Sequence, residues 1–328
     1  MSEKILITGA SGFVGFHLIE AALKMHLKVY AAVRRSSDIN HLRHLDIQFT
    51  YPDMEDIGSL EKEIRDHRYD YIIHAAGVNK ARTREEYDRV NAGYTYNIAT
   101  AAGQVAPQVK KFVLISSLAA IGPLKTFNET INEQTEAVPV TAYGKSKLLG
   151  EQNIMTMPLP WVILRPTAVY GPREKDIFIL LRSINRGWDP YIGKMEQQLS
   201  FVYVKDLASV AINALFNPSH HIAFNISDGA CYTRYELAEV IKEFLPGKAR
   251  RFHIPLSIVK IMAGVLEKTG ALFNKVPALN SEKLYELTAP NWNCSIDKAR
   301  KELGFEPTYL LRRGMAETLQ WYKENKWL

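Results

Sequence analysis

Tyr143 and Lys147 stand four positions apart, a spacing that places both side chains on one face of a helix. A phenol is a poor base near neutrality, its reference pKa being about 10. A fixed ammonium beside it favours the phenolate by on the order of 1–3 units. A tyrosine so placed exchanges a proton with an alcohol or a carbonyl. Ser117 ends the apolar run Phe112-Val113-Leu114-Ile115, where its hydroxyl can hold a substrate oxygen and stabilise developing charge. Spacing alone is weak: with 16 tyrosines, about one Tyr-x-x-x-Lys is expected by chance. The chain has a second, Tyr322/Lys326, but no serine-ended strand precedes it. The Tyr143 pair follows Ser117 by 26 positions (143 − 117). Ser116 is expected to be the neighbour that faces the backbone.

A second constellation opens the chain. Gly9-Ala10-Ser11-Gly12-Phe13-Val14-Gly15 follows an apolar strand and begins an amphipathic helix. Gly9 permits a tight turn, Gly12 lets the backbone approach a pyrophosphate, and Gly15 allows the helix to pack closely on the strand. The helix N-terminus adds free N–H groups and partial positive charge. Together the two sets predict hydride chemistry on a bound nicotinamide, with Lys147 also holding the ribose. The second strand ends Val33-Arg34-Arg35-Ser36-Ser37, with no carboxylate before Asp38. NAD sites place an acidic residue there; a guanidinium instead suits a 2′-phosphate. NADP is therefore the expected cofactor, with NAD as the alternative.

These groups need a scaffold that brings strand ends together. Strands are expected at Lys4–Thr8, Lys28–Val33, Ile47–Tyr51, Tyr69–His74, Lys111–Ser116 and Trp161–Arg165, and helices at Gly15–Met25, Ile57–Asp66, Arg84–Gly103 and Thr141–Met155. The alternation predicts an α/β fold, a Rossmann-type doubly wound parallel sheet. Residues 1–167 would form the dinucleotide-binding domain, with about 201–225 returning to it. Residues 168–328 would be mainly a smaller, mixed α/β C-terminal substrate lobe. One segment there, Ile254–Phe273, carries the polar residues Ser257, Lys260, Gly264 and Glu267 in a single helical stripe, most of the rest of its surface being apolar.

Composition narrows the class. The chain has 328 residues, 47% hydrophobic and 23% charged, as in a globular enzyme. Its net charge of +6 favours acidic partners such as a phosphorylated cofactor. No basic run exceeds three residues, so no nucleic-acid partner is expected. Cys231 and Cys294 form no disulfide framework and have no metal-ligand spacing; both read as buried small hydrophobes, and no metal is expected. With no secretory leader and no run of about 18 apolar residues, a cytoplasmic protein is expected.

The spacing Gly-x-x-Gly-x-x-Gly, with Ser117 and Tyr143-x-x-x-Lys147, resembles the extended short-chain dehydrogenases/reductases, the NAD-dependent epimerase/dehydratase family. The resemblance runs through nearly the whole chain: Gly122 after the serine, Leu164-Arg165-Pro166-Thr167-Ala168-Val169-Tyr170-Gly171-Pro172, Phe201–Ala208, and a C-terminal signature from Asn291-Trp292 to Phe305. It implies that Asp53 and Met54 hold and cover adenine, that Ala75, Ala76 and Gly77 pass under the cofactor, and that Pro166 and Val169 border the nicotinamide. It also implies a homodimer formed through helices 84–103 and 141–155.

Nucleotide-sugar members carry Arg-Asp where this chain has Leu199-Ser200, and dehydratases an acidic residue where Leu118 stands. What remains looks more like the dihydroflavonol-reductase-like branch, whose Arg matches Arg34, or the 3β-hydroxysteroid-dehydrogenase-like branch. The expected activity is NADPH-dependent reduction of a ketone or aldehyde, or the reverse alcohol oxidation. The alternatives are a nucleotide-sugar epimerase with recycled NAD, and a non-catalytic dinucleotide- or RNA-binding protein. Asn79, Tyr170 and Arg173, which follow strand or loop ends, are the further substrate candidates beside Ser117. The helix at 254–273 fits an apolar substrate, a membrane surface or packing on its own domain.

Overall fold

A computed structural model of the chain describes residues 2–105, 108–272 and 281–328. In chain order its first half runs β1 (Lys4–Thr8), α1 (Phe13–Lys24), β2 (Lys28–Ala32), β3 (Gln48–Thr50), α2 (Ile57–His67), β4 (Tyr71–His74), α3 (Arg84–Tyr87), α4 (Tyr94–Gln104), β5 (Lys111–Ile115), α5 (Ala142–Met155) and β6 (Trp161–Pro166). Then follow β7 (Ala168–Tyr170), α6 (Asp176–Asn185), β8 (Trp188–Ile192), β9 (Gln198–Leu199), β10 (Phe201–Tyr203), α7 (Val204–Phe216) and β11 (Ile222–Ile226). The chain closes with β12 (Tyr232–Thr233), α8 (Glu236–Phe244), β13 (Arg250–Ile254), α9 (Leu256–Leu272), α10 (Ser281–Thr288), α11 (Asp297–Leu303) and α12 (Leu311–Glu324).

Seven strands form one parallel sheet in the order β11-β6-β5-β4-β1-β2-β3. Alternate residues feed two cores. Ile5, Ile7, Val113, Val162 and Leu164 pack with α1 and α7, while Leu6, Ile72, Phe112, Leu114 and Ile163 pack under α2, α4 and α5. Strands buried on both faces read as unbroken apolar runs, which is why they were legible in the sequence. A third core around Tyr170, Tyr203, Leu311 and Tyr322 joins β7 and β10 to α6, α8 and α12.

The expected helix over 84–103 runs from Arg84 to Gln104 but is not α-helical throughout. A four-residue α3 passes into a π-helical turn at Asp88–Gly93 before α4 begins. Wide turns of this kind often sit at functional sites, and no periodicity of apolar residues announces them. The strand expected from Tyr69 starts at Tyr71; Tyr69 is buried, with its hydroxyl donating to Glu63 Oε1 at 2.7 Å. Ile254 closes β13 rather than opening the following helix, and Phe273 lies outside the described residues.

Candidate active site

Strand order reverses between β1 and β4, and in such sheets the crevice beyond those carboxyl ends receives the ligand. The loops after β1 and β4 touch there. Gly9 has φ +68°, and a Cβ on it would lie 2.6 Å from the Ala75 carbonyl oxygen. A Cβ on Gly15 would lie 2.1 Å from the Gly9 carbonyl oxygen, so only glycine lets α1 close onto its own loop. Gly12 N donates to Gly9 O at 2.9 Å and shapes the turn that carries Ser11. Gly12 caps α1 with no side-chain hydrogen bond, so the N–H groups of Phe13, Val14 and Gly15 have no side-chain acceptor. A glycine cradle under an uncapped helix start fits a dinucleotide pyrophosphate.

At the end of β2, Arg34 and Arg35 are exposed, and neither forms an ion pair among the described residues. The Arg35 guanidinium lies 5.1 Å from the centre of the Tyr51 ring. Asp53 is exposed, and its Oδ1 accepts from Glu55 N at 2.9 Å, the ordinary use of an aspartate in a turn. Met54 packs against the core under α2, and its carbonyl accepts from Asn97 Nδ2 at 2.9 Å. After β4, Thr8 Oγ1 accepts from Ala76 N at 3.1 Å and lies 2.8 Å from His74 Nδ1. Gly77 abuts Asn91: a Cβ there would be 2.9 Å from Asn91 Oδ1.

The three candidate catalytic side chains come from two parts of the fold, the end of β5 and α5. Ser117 follows β5 and caps a short 3-10 turn, its Oγ accepting from Ala119 N at 3.2 Å. Tyr143 and Lys147 lie on α5, whose start is capped by Thr141 Oγ1 accepting from Gly144 N at 3.0 Å. A Cβ on Gly144 would lie 2.3 Å from Ala119 O, so glycine at this position lets α5 approach the Ser117 turn. There the Ser117 hydroxyl lies close enough to the Tyr143 phenol to act on its titration. Burial pushes the Tyr143 phenol up to about 12, against the pull of Ser117. Lys147 Nζ donates to Ile115 O at 2.7 Å, and burial brings it down to about 8 while Glu151 raises it.

Beneath Lys147 lies a network that the sequence reading did not anticipate. Glu151, fully buried, accepts from Arg165 Nε at 3.0 Å and from Arg165 Nη2 at 2.6 Å, both on Oε2. Ser116 Oγ donates to Glu151 Oε1, so this serine faces a carboxylate and not merely the backbone. Tyr143, Lys147 and Glu151 make one stripe at steps of four, a signal that was available. Asn91, in the π-helical turn, accepts from Val78 N at 2.8 Å and donates to Val78 O at 3.0 Å and Ser146 Oγ at 2.9 Å. It ties α5 to the loop after β4, and only the fold pairs it with that loop.

Pro166 closes β6, with Val169 three residues on in β7. Three substrate candidates separate. Asn79 is exposed, its carbonyl accepting from Tyr87 OH at 3.3 Å, and Tyr87 lies 6.3 Å ring to ring from Tyr143. Tyr170 is not a cleft residue: it is fully buried in the third core, and its hydroxyl lies 3.4 Å from Leu311 O. Arg173 packs with α1 and α12 rather than α5, its guanidinium 3.9 Å from the Phe16 ring centre and 5.3 Å from that of Trp321. Of the cysteines, Cys294 is buried, but Cys231 is exposed, because it follows the loop at Gly229 on the surface.

The profile of the NAD dependent epimerase/dehydratase family matches residues 5–227, which include the glycine loop, Ser117, Tyr143 and Lys147. The chain belongs to that family. It is an enzyme, an oxidoreductase of the extended short-chain dehydrogenase/reductase type. A ceramide reductase of Caulobacter vibrioides is 26% identical over 99% of this chain and 96% of its own. A UDP-glucose 4-epimerase of Vibrio cholerae is 26% identical over 98% and 95%. Among solved structures, a UDP-glucose 4-epimerase from Thermotoga maritima superposes with a TM-score of 0.79 at 21% identity, covering 98% of this chain and 99% of that one. In this member of the epimerase/dehydratase family, Leu199 pairs with Tyr232 and Ser200 is buried, its Oγ accepting from Cys294 N at 3.3 Å.

Proposed function

We propose that this enzyme reduces a ketone or aldehyde on an apolar or mid-sized molecule, or runs the reverse alcohol oxidation, with NADP(H). The observation that carries the reading is the Tyr143 phenol, brought by the close approach of α5 at Gly144 to the Ser117 turn and pushed up to about 12 by its burial. A protonated phenol is a proton donor, the role a carbonyl reduction needs at the substrate oxygen. Ser117 then orients that oxygen, and Lys147, anchored on Ile115 O, holds the ribose and supplies positive charge. Bound NADPH would supply the hydride, held by Gly9–Gly15, Ala75–Gly77, Pro166 and Val169, with Asp53 and Met54 at the adenine and Arg34 and Arg35 at the 2′-phosphate. Asn79 borders the substrate, in the cleft toward the lobe of residues 168–328.

The ceramide reductase relative supports a reductase with an apolar substrate. The epimerase relative keeps nucleotide-sugar epimerisation with recycled NAD as the second reading, against which stands Leu199 where an arginine would pair a phosphate. Exposed Tyr96, Leu149 and Met155 on α4 and α5 fit homodimerisation through those helices.

The decisive experiment titrates NADPH and NADH separately, following nicotinamide fluorescence, with Arg34→Ala in parallel. NADPH is expected to bind at least ~10-fold tighter, about 1.4 kcal/mol, with Arg34→Ala erasing the difference. In a carbonyl screen Tyr143→Phe should then lose ~100-fold or more in kcat with cofactor affinity kept. Equal binding of NADH, or a tightly held NAD that survives purification, would reverse the assignment in favour of epimerase chemistry.

A further inference from the structure

Helix α9 is divided into three sectors. At about 100° per residue, Val259 and Ala263 fall together, and both are buried. Ser257, Lys260 and Gly264 form the polar sector. Between them on the far side lie Ile258, Ile261 and Met262, exposed by 47%, 68% and 48%. Val265 and Leu266 continue this sector and are also exposed. A helix that serves only its own core turns its widest apolar face inward. Among the described residues, Ile258, Ile261 and Met262 turn to solvent while the domain takes the narrow stripe of Val259 and Ala263. Single exposed aliphatics are normal, but Ile258, Ile261 and Met262 together on one helix sector mark an interaction surface.

The surroundings select the partner. The ribbon that feeds α9 pairs β13 with β8 and exposes Trp188 and Phe252, whose rings meet edge to face at 5.9 Å. Lys248 and Arg250 are exposed beside them, Lys260 is exposed on the helix, and the whole chain carries +6. Flexible aliphatics on a convex helix, an exposed tryptophan and flanking cations are what an anionic bilayer surface accepts, because a fluid interface needs no shaped complement. No described helix is long and apolar enough to cross a membrane, so α9 would lie in the interface plane. The surface is also tied to the catalytic helix. α10 packs on α9, and its Glu282 accepts from Ala142 N at the start of α5 at 2.9 Å.

We infer that the exposed apolar sector of α9, with the basic ribbon before it, docks this enzyme on an anionic lipid bilayer. The docking stands independently of the reductase reading, because it uses none of the residues assigned to the glycine loop, the Arg34–Arg35 strand end or the Ser117–Tyr143–Lys147 set.

The test floats the full chain through a density gradient with vesicles of phosphatidylcholine alone or of an equimolar phosphatidylcholine–phosphatidylglycerol mixture. The wild-type chain should float with the anionic vesicles. The triple variant Ile258→Ser, Ile261→Ser, Met262→Ser should lose ~10-fold or more of that binding. The double variant Lys248→Glu, Arg250→Glu should lose the preference for anionic vesicles while folding normally. Cofactor titration of each variant is expected to match wild type; failure of cofactor binding in every form, wild type included, would strike the redox reading and leave the docking result intact. Three outcomes would overturn the proposal: no flotation of the wild type, equal flotation of the triple variant, or a changed oligomeric state of that variant without vesicles. The last would assign the face to a second copy of the chain.

Discussion

Burial acts on Tyr143 and Lys147 in opposite senses, raising the phenol to about 12 and lowering the ammonium to about 8, and both shifts disfavour the charged form. Glu151 opposes the second shift from one helical turn away. Lys147 is protonated below about 8, so activity that needs its charge should hold at neutral pH and fall as pH rises through that value. Glu151→Gln removes the supporting charge, and the alkaline limb of the kcat/KM profile should move to lower pH. The same change leaves the Arg165 guanidinium buried without its carboxylate, at a cost of about 3–5 kcal/mol measured by urea unfolding. Adding Arg165→Gln should recover part of the stability without moving the limb back. A purely structural role for Glu151 would restore both together.

At the scale of elements, the site depends on how closely α5 approaches its neighbours. Gly144 meets the Ser117 turn, and Gly150 meets the π-helical turn, where a Cβ would lie 2.7 Å from Asn91 O. Both contacts are with backbone, which cannot swing aside as a side chain can. Gly144→Ala should therefore tilt or lift the start of α5 and part Tyr143 from Ser117. The expected result is a kcat loss of ~10-fold or more with little change in cofactor affinity, since a misplacement of about 1 Å can cost ~100-fold. Gly15→Ala should do the reverse, damaging cofactor binding first, because its clash is with the phosphate loop. Titration beside steady-state kinetics separates the two.

For the molecule as a whole, His74 links the sheet interior to acid stability. Burial, with Lys147 nearby, takes it from its ordinary 6.5 down to about 3, so it is neutral in the fold. The unfolded chain binds a proton there below about 6.5, and the folded chain only below about 3. Stability contributed by neutral His74 is thus full above 6.5 and is lost as pH falls toward 3, by up to about 1.4 kcal/mol per pH unit. His74→Gln should flatten this acid limb in urea midpoints measured from pH 7 to 4. An unchanged limb would locate the acid sensitivity elsewhere.

Local signals made the strands, the glycine loop and the Ser117–Tyr143–Lys147 set legible without coordinates. Strands buried on both faces must be apolar throughout, a loop that wraps phosphate must carry glycine, and side chains four apart on a helix must share a face. Partnerships across the sheet were not legible, because they depend on which ends the topology brings together. Ser116, Glu151 and Arg165 meet only because β5 pairs with β6 under α5, and Asn91 reaches Val78 only through a π-helical turn that has no sequence period. Tyr170 follows a strand end just as a cleft residue would, and the third core alone decides that it faces inward. The same holds for α9: composition made it an apolar helix with one polar stripe, but burial of Val259 and Ala263 chose which side the protein keeps. Among the described residues, tertiary packing left Ile258, Ile261 and Met262 to solvent, since the domain's contact with that helix runs along the narrow stripe of Val259 and Ala263.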